Sequence, residues 1–410
     1  MLKAMTHRRI LLADADAFFV AVARMADPDG AGRSPLLIVG GRPGSRGVVC
    51  SASYETRAYG VRSAMPIAQA LRLCPDALCV PVPRHACGTT SGAIAAVLAR
   101  FTPVVEGASI DEWYLDLGGT EALYNHEPLD ETARRIRESV HRETGMRISI
   151  GGGTSKLVAK LAAERAKPRA EVGGTGVRIV EPGGEAEFLR GFAVADIPGV
   201  GPKMQEKLAR FGLVRVEDVL PHDRATLAHW LGRRPAEWLW ARVRGIHVTP
   251  VESRAPTRQM SREQTFDRDI RDPVQLGTAL RRLAAQVASD LRGDRLGART
   301  VTVKIKDADF TTRLASRTLT EAIESDRAVM QVAIPLLNKL RSARNVPARL
   351  VGVSLGNLGP ARDADQLGLF GAPADAVERP RDRAISRAVD RVRERFGTEA
   401  IRSGTPARAP

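Results

Sequence analysis

The sequence predicts a multidomain α+β protein. Three observations carry this reading. Two adjacent carboxylates, Asp111 and Glu112, interrupt an otherwise strand-like stretch over 102–117. A proline-glycine turn, Pro198-Gly199-Val200-Gly201, separates two segments with helical apolar spacing. From 258 onward, period-two and period-3.6 patterns follow one another as strand, helix, strand, strand, helix, strand.

Length and composition narrow the class. A chain of 410 residues holds two to four domains with real cores. No apolar run reaches the length of a membrane span, so no membrane partner is expected. Asp14 and Asp16 break the first apolar stretch, which argues against a signal peptide. Cys50, Cys74, Cys79 and Cys87 show neither CxxC spacing nor histidine partners, and read as reduced thiols of a cytoplasmic protein rather than a zinc site. The net charge of +15 and pI near 10.4 favour a polyanionic partner, nucleic acid first. With only 4% aromatic residues, a binder that works by stacking single-stranded bases is disfavoured.

Taken in order, residues 9–20 begin as a buried strand at Ile10, Leu11 and Leu12 and end on Asp14, with Phe18 and Phe19 next. An ionised carboxylate beside so apolar a run needs exposure or a cationic partner. Residues 21–76 read as a small insertion with strands at 35–40 and 48–53 and a helix near 66–72. Tyr54 and Arg57 there have the donor chemistry for phosphate, although a solvated loop fits the same residues. A helix over 88–101 leads into the acidic stretch. Side chains alternate along a strand, so Asp111 and Glu112 can serve one site only from a turn or bulge, and 102–117 is expected as a hairpin with the pair at its tip. By itself such a pair reads more readily as an exposed acidic turn.

A helix over 130–142 and a strand over 147–151 follow. Thr154 or Ser155 caps the next helix and Pro168 ends it, with Lys156, Lys160 and Lys167 as a basic stripe suited to phosphates or to solvent. At 198–201 the glycines allow backbone N–H groups to approach a phosphate at a helix start, so Gly199, Gly201 and Lys203 are candidate contacts to a DNA backbone. Residues 247–257, polar and carrying two prolines, are expected as a linker. The last module is expected to place strands 258–265, 298–306, 311–319 and 348–355 in one sheet with helices 273–292 and 321–342 on one side. Arg313 and Arg317 are expected on its open, DNA-facing surface. In the tail, Gln366, Leu367, Leu369 and Phe370 form an apolar peptide in a Pro/Ala/Asp-rich surround, suited to a partner's pocket. Ile385, Val389, Val392 and Phe396 mark a short amphipathic helix.

Asp14-Ala15-Asp16-Ala17-Phe18-Phe19 together with Ser109-Ile110-Asp111-Glu112-Trp113-Tyr114-Leu115-Asp116 resembles the Y-family of translesion DNA polymerases, DinB type. The resemblance covers about 8–370 and implies a right-hand polymerase. Its ferredoxin-like palm would lie at 1–20 and 77–175, small fingers at 21–76, a helix-hairpin-helix thumb at 176–246 and the linker at 247–257. The βαββαβ little finger would span 258–358, and the tail with its clamp-binding peptide 359–410. The implied reaction is template-directed primer extension past damaged template by two-metal-ion nucleotidyl transfer, at low fidelity and without proofreading. Asp14 and Asp111 would bridge two Mg2+ ions, Glu112 would serve the primer-side ion, and the Ala15 carbonyl would ligate the nucleotide-side ion. Phe19 would be the steric gate against ribose, and Tyr54, Arg57 and Lys167 the dNTP triphosphate contacts. Asp16 and Asp116 belong to the motifs and are given structural roles. Implied partners are primer–template DNA and, through Gln366, Leu367, Leu369 and Phe370, a sliding clamp, with the chain a monomer.

The sequence departs from the family pattern over Ala21-Val22-Ala23-Arg24, where the usual acidic residue is absent, at Trp113 in place of a small residue, and over Gly151-Gly152-Gly153-Thr154-Ser155-Lys156. None of these removes a metal ligand. The alternative is a non-catalytic relative that binds DNA and the clamp. Loss of one of the three carboxylates would favour it, and all three are present.

Overall fold

The apolar run Ile10–Ala15 becomes a strand whose six residues are all buried. The computed structural model describes residues 7–168, 174–253, 256–361, 377–397 and 400–401. The chain divides into two units, 1–255 and 256–410. In the first, Ile10–Ala15 lies at the centre of a five-stranded sheet, between Glu112–Asp116 and Ile148–Gly153 and antiparallel to both. Val105–Gly107 flanks Glu112–Asp116 to complete the expected hairpin. The outer strand on the other side, Val177–Ile179, pairs in parallel with Ile148–Gly153. The sheet therefore extends past the boundary expected at 175.

Alternation along the central strand divides two cores. Leu11, Ala13 and Ala15 pack with Trp113, Leu115, Ile148 and Ile150 under helices Arg84–Leu98 and Leu129–Thr144. Trp113 fills this core and is buried, which accounts for its size there. Ile10 and Leu12 face the other way, with Tyr114, Ala159 and Ala163. Helix Lys156–Ala166, capped by the Ser155 hydroxyl on the Val158 N–H at 3.3 Å, lies on this second face. It lies close because of Gly151: a Cβ there would run into the Ala163 nitrogen and the Ala159 carbonyl.

Three shorter strands, ordered Val49–Ala52, Leu37–Gly40, Leu78–Pro81, form a separate sheet with helices Tyr54–Ala58 and Ile67–Leu73. Leu78–Pro81 pairs in parallel with Leu37–Gly40, so this insertion runs beyond 76. Arg24 reaches from helix Phe18–Ala26 to the Ser34 and Pro35 carbonyls at 3.0 and 3.2 Å, which gives this cation a structural use. The helices of 185–242 pack Leu189, Ile197, Leu208, Leu227 and Leu239 into one core with Leu157 and Leu161 of helix Lys156–Ala166.

The stretch expected as a linker is fixed over most of its length. Arg8 donates to the Val248 and Thr249 carbonyls, Lys156 to Pro250, and the Glu252 N–H to Glu106 at 2.8 Å. Val251 is buried with Ile10 and Leu12. Polar composition concealed one apolar anchor and a set of backbone acceptors.

The second unit has the expected order, with strands arranged Thr312–Ile323, Leu296–Asp307, Ala348–Pro360, Gln259–Ile270, all antiparallel. Helices Pro273–Gly293 and Asp326–Ala343 cover one face. The strand runs on to Ile323, paired with Ala298, and Ser325 caps the helix expected to start at 321. Pro335 sits inside that helix without ending it. Arg313 and Arg317 are not on the open face. They lie opposite Ile305 and Val301, whose side chains are buried under the helices. Arg313 holds the fully buried Asp307 at 2.9 Å through two nitrogens. The open face carries Lys304 and Lys306 among Thr302, Ser316 and Ser354.

Helix Pro380–Phe396 belongs to this unit and docks by its polar side. Asp382 and Ser386 are buried, whereas Ile385 and Phe396 are exposed. Asp390 takes the buried Arg292 guanidinium at 2.6 Å. Asp382 takes Arg327 at 3.0 Å, and Arg387 reaches Glu324 at 2.7 Å. Glu378 accepts from the Glu324 and Ser325 N–H groups, just before the helix start at Asp326. The expected helix is present, and the junction it meets is rich in buried polar groups that its charged side chains satisfy. Asp390→Ala leaves Arg292 with the Asp326 carboxylate and the Glu324 carbonyl and is expected to cost about 2 kcal/mol in denaturant unfolding of the full chain. Unchanged stability would contradict the assigned role of this ion pair.

Candidate active site

The register of the central strands builds the site. Asp14 lies directly opposite Glu112, and the Ala15 N–H donates to the Asp111 carbonyl at 2.9 Å. Asp14 and Glu112 share the face of Ile10, Leu12 and Tyr114, two and four residues along each strand. Asp111 stays in the turn, where the Ala108 N–H donates to the Glu112 carbonyl and the Ser109 hydroxyl to the Asp111 carboxylate. The three predicted carboxylates therefore come to one end of two paired strands. Asp16 and Asp116 do structural work: the Ser149 hydroxyl donates to Asp16 at 2.8 Å, and at the far end of the pair, opposite Ile10, the Gly118 N–H donates to Asp116 at 2.9 Å.

Beyond Ala15 the chain turns sharply. Ala17 adopts the left-handed region at φ 46°, a conformation that costs an L-residue about 1 kcal/mol. The turn starts helix Phe18–Ala26, buries Phe18, and leaves Phe19 half-buried and edge-on to it at 5.5 Å. Tyr54 begins the short helix Tyr54–Ala58 and Arg57 lies in its last turn, with the guanidinium 5.0 Å from the Tyr54 ring centre and its Nε on the Ala52 carbonyl.

In the nucleotide-free chain each lysine of the stripe is paired to a carboxylate. Lys156 pairs with Glu106 at 2.6 Å and lies over the Tyr114 ring. Lys160 holds both oxygens of Glu112 at 2.7 Å. Lys167 bridges Asp14 at 2.9 Å and Glu164 at 2.8 Å. The helix carrying the first two, and ending just before Lys167, approaches closely only because of Gly151. The i, i+4 lysine spacing was the signal in the sequence, but the partner carboxylates are too distant along the chain for periodicity to name them.

Burial dominates the electrostatics at Asp14. It pushes this carboxyl up to about 6 against the attraction of Lys167. Lys167 loses by burial but is raised overall by Asp14 and Glu164, so the pair is ionic at neutral pH. Burial, with Glu112, Glu106 and Asp14 nearby, drives the Tyr114 phenol far up and keeps it protonated. Among the described residues, no three acidic, histidine or cysteine side chains converge in a closed metal cluster. The donor chemistry nonetheless fits a hard divalent cation: carboxylate oxygens, among them the buried Asp14 that Lys167 now neutralises, beside a backbone carbonyl at Ala15.

At the second predicted contact, Gly199 has φ 105°, and a Cβ there would meet the Trp238 ring at 2.7 Å. Gly201 precedes helix Pro202–Ala209, with Lys203 exposed in its first turn. Gln366, Leu367, Leu369 and Phe370 lie outside the described residues.

Residues 13–164 match the impB/mucB/samB family model, and 257–369 match the model of that family's C-terminal domain. With strands, acidic turn and hairpin glycines in place, the chain belongs to this family, the Y-family of DNA polymerases. Among its relatives, DNA polymerase IV of Dehalococcoides mccartyi (strain CBDB1) is 33% identical over 98% of both chains. DNA polymerase IV of Methanoculleus marisnigri is 38% identical over 86% of this chain and 94% of its own. Among solved structures, a Y-family DNA polymerase chimera of Dbh and Dpo4 shares the fold, with a TM-score of 0.75 at 24% identity over 85% of this chain and 98% of its own. An insertion ternary complex of Dbh DNA polymerase aligns with a TM-score of 0.59 at 25% identity, covering 86% of this chain and all of that one.

A protonation signature follows from Asp14. Between its unfolded value near 4 and its folded value of about 6, the native state binds the extra proton. The contribution of Asp14 therefore favours folding at low pH and is lost as pH rises through this window. In metal-free buffer, the stability of Asp14→Asn relative to the parent is expected to improve by roughly 2 kcal/mol from pH 4 to pH 7, read by urea unfolding. A pH-independent gap would contradict the burial of a titrating Asp14.

Proposed function

We propose that this chain is a template-directed DNA polymerase that extends primers past damaged template, using Asp14, Asp111 and Glu112 as its catalytic carboxylates. The observation that carries this reading is the placement of Asp14 opposite Glu112, with Asp111 joined to Ala15 through the backbone. Asp14 and Asp111 would hold two Mg2+ ions jointly, with Glu112 on the primer side and the Ala15 carbonyl on the nucleotide side. When bound, these ions supply the charge that favours a nucleophilic 3′-hydroxyl and stabilises the pyrophosphate leaving group.

The chain's own residues orient the reactants around that centre. Phe19, left half-buried by the turn at Ala17, would serve as the gate against a ribose 2′-hydroxyl. Tyr54 and Arg57 supply donors to the triphosphate, and Lys167 supplies a cation at the end of its helix. The turn at Gly199 and Gly201, with Lys203, grips duplex backbone without reading sequence. On the second unit, Lys304 and Lys306 replace Arg313 and Arg317 as candidate duplex contacts. No helix among the described residues is long and apolar enough to cross a membrane. The enzyme is proposed to work as a cytoplasmic monomer that meets a sliding clamp through Gln366, Leu367, Leu369 and Phe370.

Primer extension with Mg2+, using dNTPs or rNTPs, tests the assignments together. Asp111→Ala and Glu112→Ala should reduce extension at least about a hundredfold while primer–template binding stays near parental. Phe19→Ala should retain dNTP extension and gain rNTP incorporation. Extension persisting in both carboxylate variants would overturn the site.

A further inference from the structure

Lys167 reaches the catalytic carboxylates from an unusual position. It is the first residue beyond helix Lys156–Ala166 and precedes Pro168, and the Ala166 carbonyl accepts the Gly176 N–H at 2.8 Å. Its backbone is therefore constrained, and its reach is set by side-chain rotamers. Its ammonium touches two carboxylates, Asp14 at 2.9 Å and Glu164 at 2.8 Å. The two contacts differ in setting. The Asp14 and Lys167 side chains are 12% and 14% exposed, whereas Glu164 is 46% exposed.

We propose that Lys167 is a counter-ion guard of the Asp14 metal position, held by Asp14 and Glu164 and drawn away by a nucleotide triphosphate, so that cation and nucleotide enter as coupled ligands. This rests on the assignment of Asp14 as a metal ligand and of Lys167 as a triphosphate contact. In the nucleotide-free chain, one Asp14 oxygen is committed to an ammonium. A divalent cation at Asp14 would have to take that oxygen and lie beside a positive charge, in surroundings that screen poorly. Lys160 also holds both oxygens of Glu112, so two ammoniums offset much of the charge of the three carboxylates. A triphosphate offers Lys167 a more highly charged acceptor. Once Lys167 turns to it, Asp14 is free for the cation while Glu164 remains within reach of the ammonium. Linkage makes the effect reciprocal: nucleotide raises cation affinity by the factor by which cation raises nucleotide affinity.

The test is Mn2+ binding to the full chain, followed by electron paramagnetic resonance with and without a non-reactive dNTP analogue. Lys167→Met should bind Mn2+ without nucleotide about tenfold more tightly than the parent, with a smaller gain on adding the analogue. Lys167→Gln, uncharged but still a donor to Asp14, should do the same if the methionine variant does not fold, and Lys167→Arg should resemble the parent. Asp14→Asn should weaken binding in every case. If the uncharged variants bind Mn2+ no more tightly than the parent while Asp14→Asn loses it, the guard is wrong and the metal assignment survives. If Asp14→Asn binds as the parent does, the metal assignment fails and the guard fails with it.

Discussion

Everything in the first unit depends on the two-sided pairing of Ile10–Ala15. A strand buried on both faces and bonded along both edges cannot slip, because a one-residue shift would turn Leu11 and Ala13 out of one core and Asp14 into it. That register places Asp14 opposite Glu112 and ties Ala15 to Asp111. It also sets Leu12 against Gly151, the residue whose missing Cβ admits the lysine-bearing helix. The acidic site and its cationic cover are thus two results of one pairing pattern. Burying Asp14 is costly, and the nearby ammonium of Lys167 offsets that cost.

The same logic explains why the stretch from 247 to 253 is fixed. Lys156 and Glu106 form an ion pair at the back of the hairpin, and both have bonding capacity left over. The passing chain supplies the Pro250 carbonyl and the Glu252 N–H, and Val251 closes over Ile10 and Leu12. In the second unit, buried charge again decides the architecture. Arg292, Glu324 and Asp326 cluster where two helices and a strand end, and helix Pro380–Phe396 meets them with Asp390, Arg387 and Ser386.

Much of this was legible in the sequence because it is local. Ile10 to Asp14 reads as a strand ending on a carboxylate, 102–117 as a hairpin, and 258–355 as alternating strands and helices. The carboxylates were found because a polar residue at the end of an apolar run is conspicuous. What stayed hidden depends on pairing across distance. Alternation placed Arg313 and Arg317 on one face together, but only their register against Ile305 and Val301 shows that it is the helix side. Lys160 and Lys167 were visible as a stripe, whereas Glu112 and Asp14 as their partners were not. For the last helix, the apolar spacing of Ile385 and Phe396 was real but faced solvent, because the surface it meets is charged.

The central claim is that strand register brings Asp14, Asp111 and Glu112 to one cation-binding centre. Anomalous diffraction from crystals grown with Mn2+, primer–template DNA and a non-reactive dNTP analogue tests it most directly. The account predicts anomalous peaks within ligand distance of all three carboxylates, with Lys167 turned away from Asp14. Peaks elsewhere, with Asp14 still held by Lys167 and Glu112 by Lys160, would contradict it.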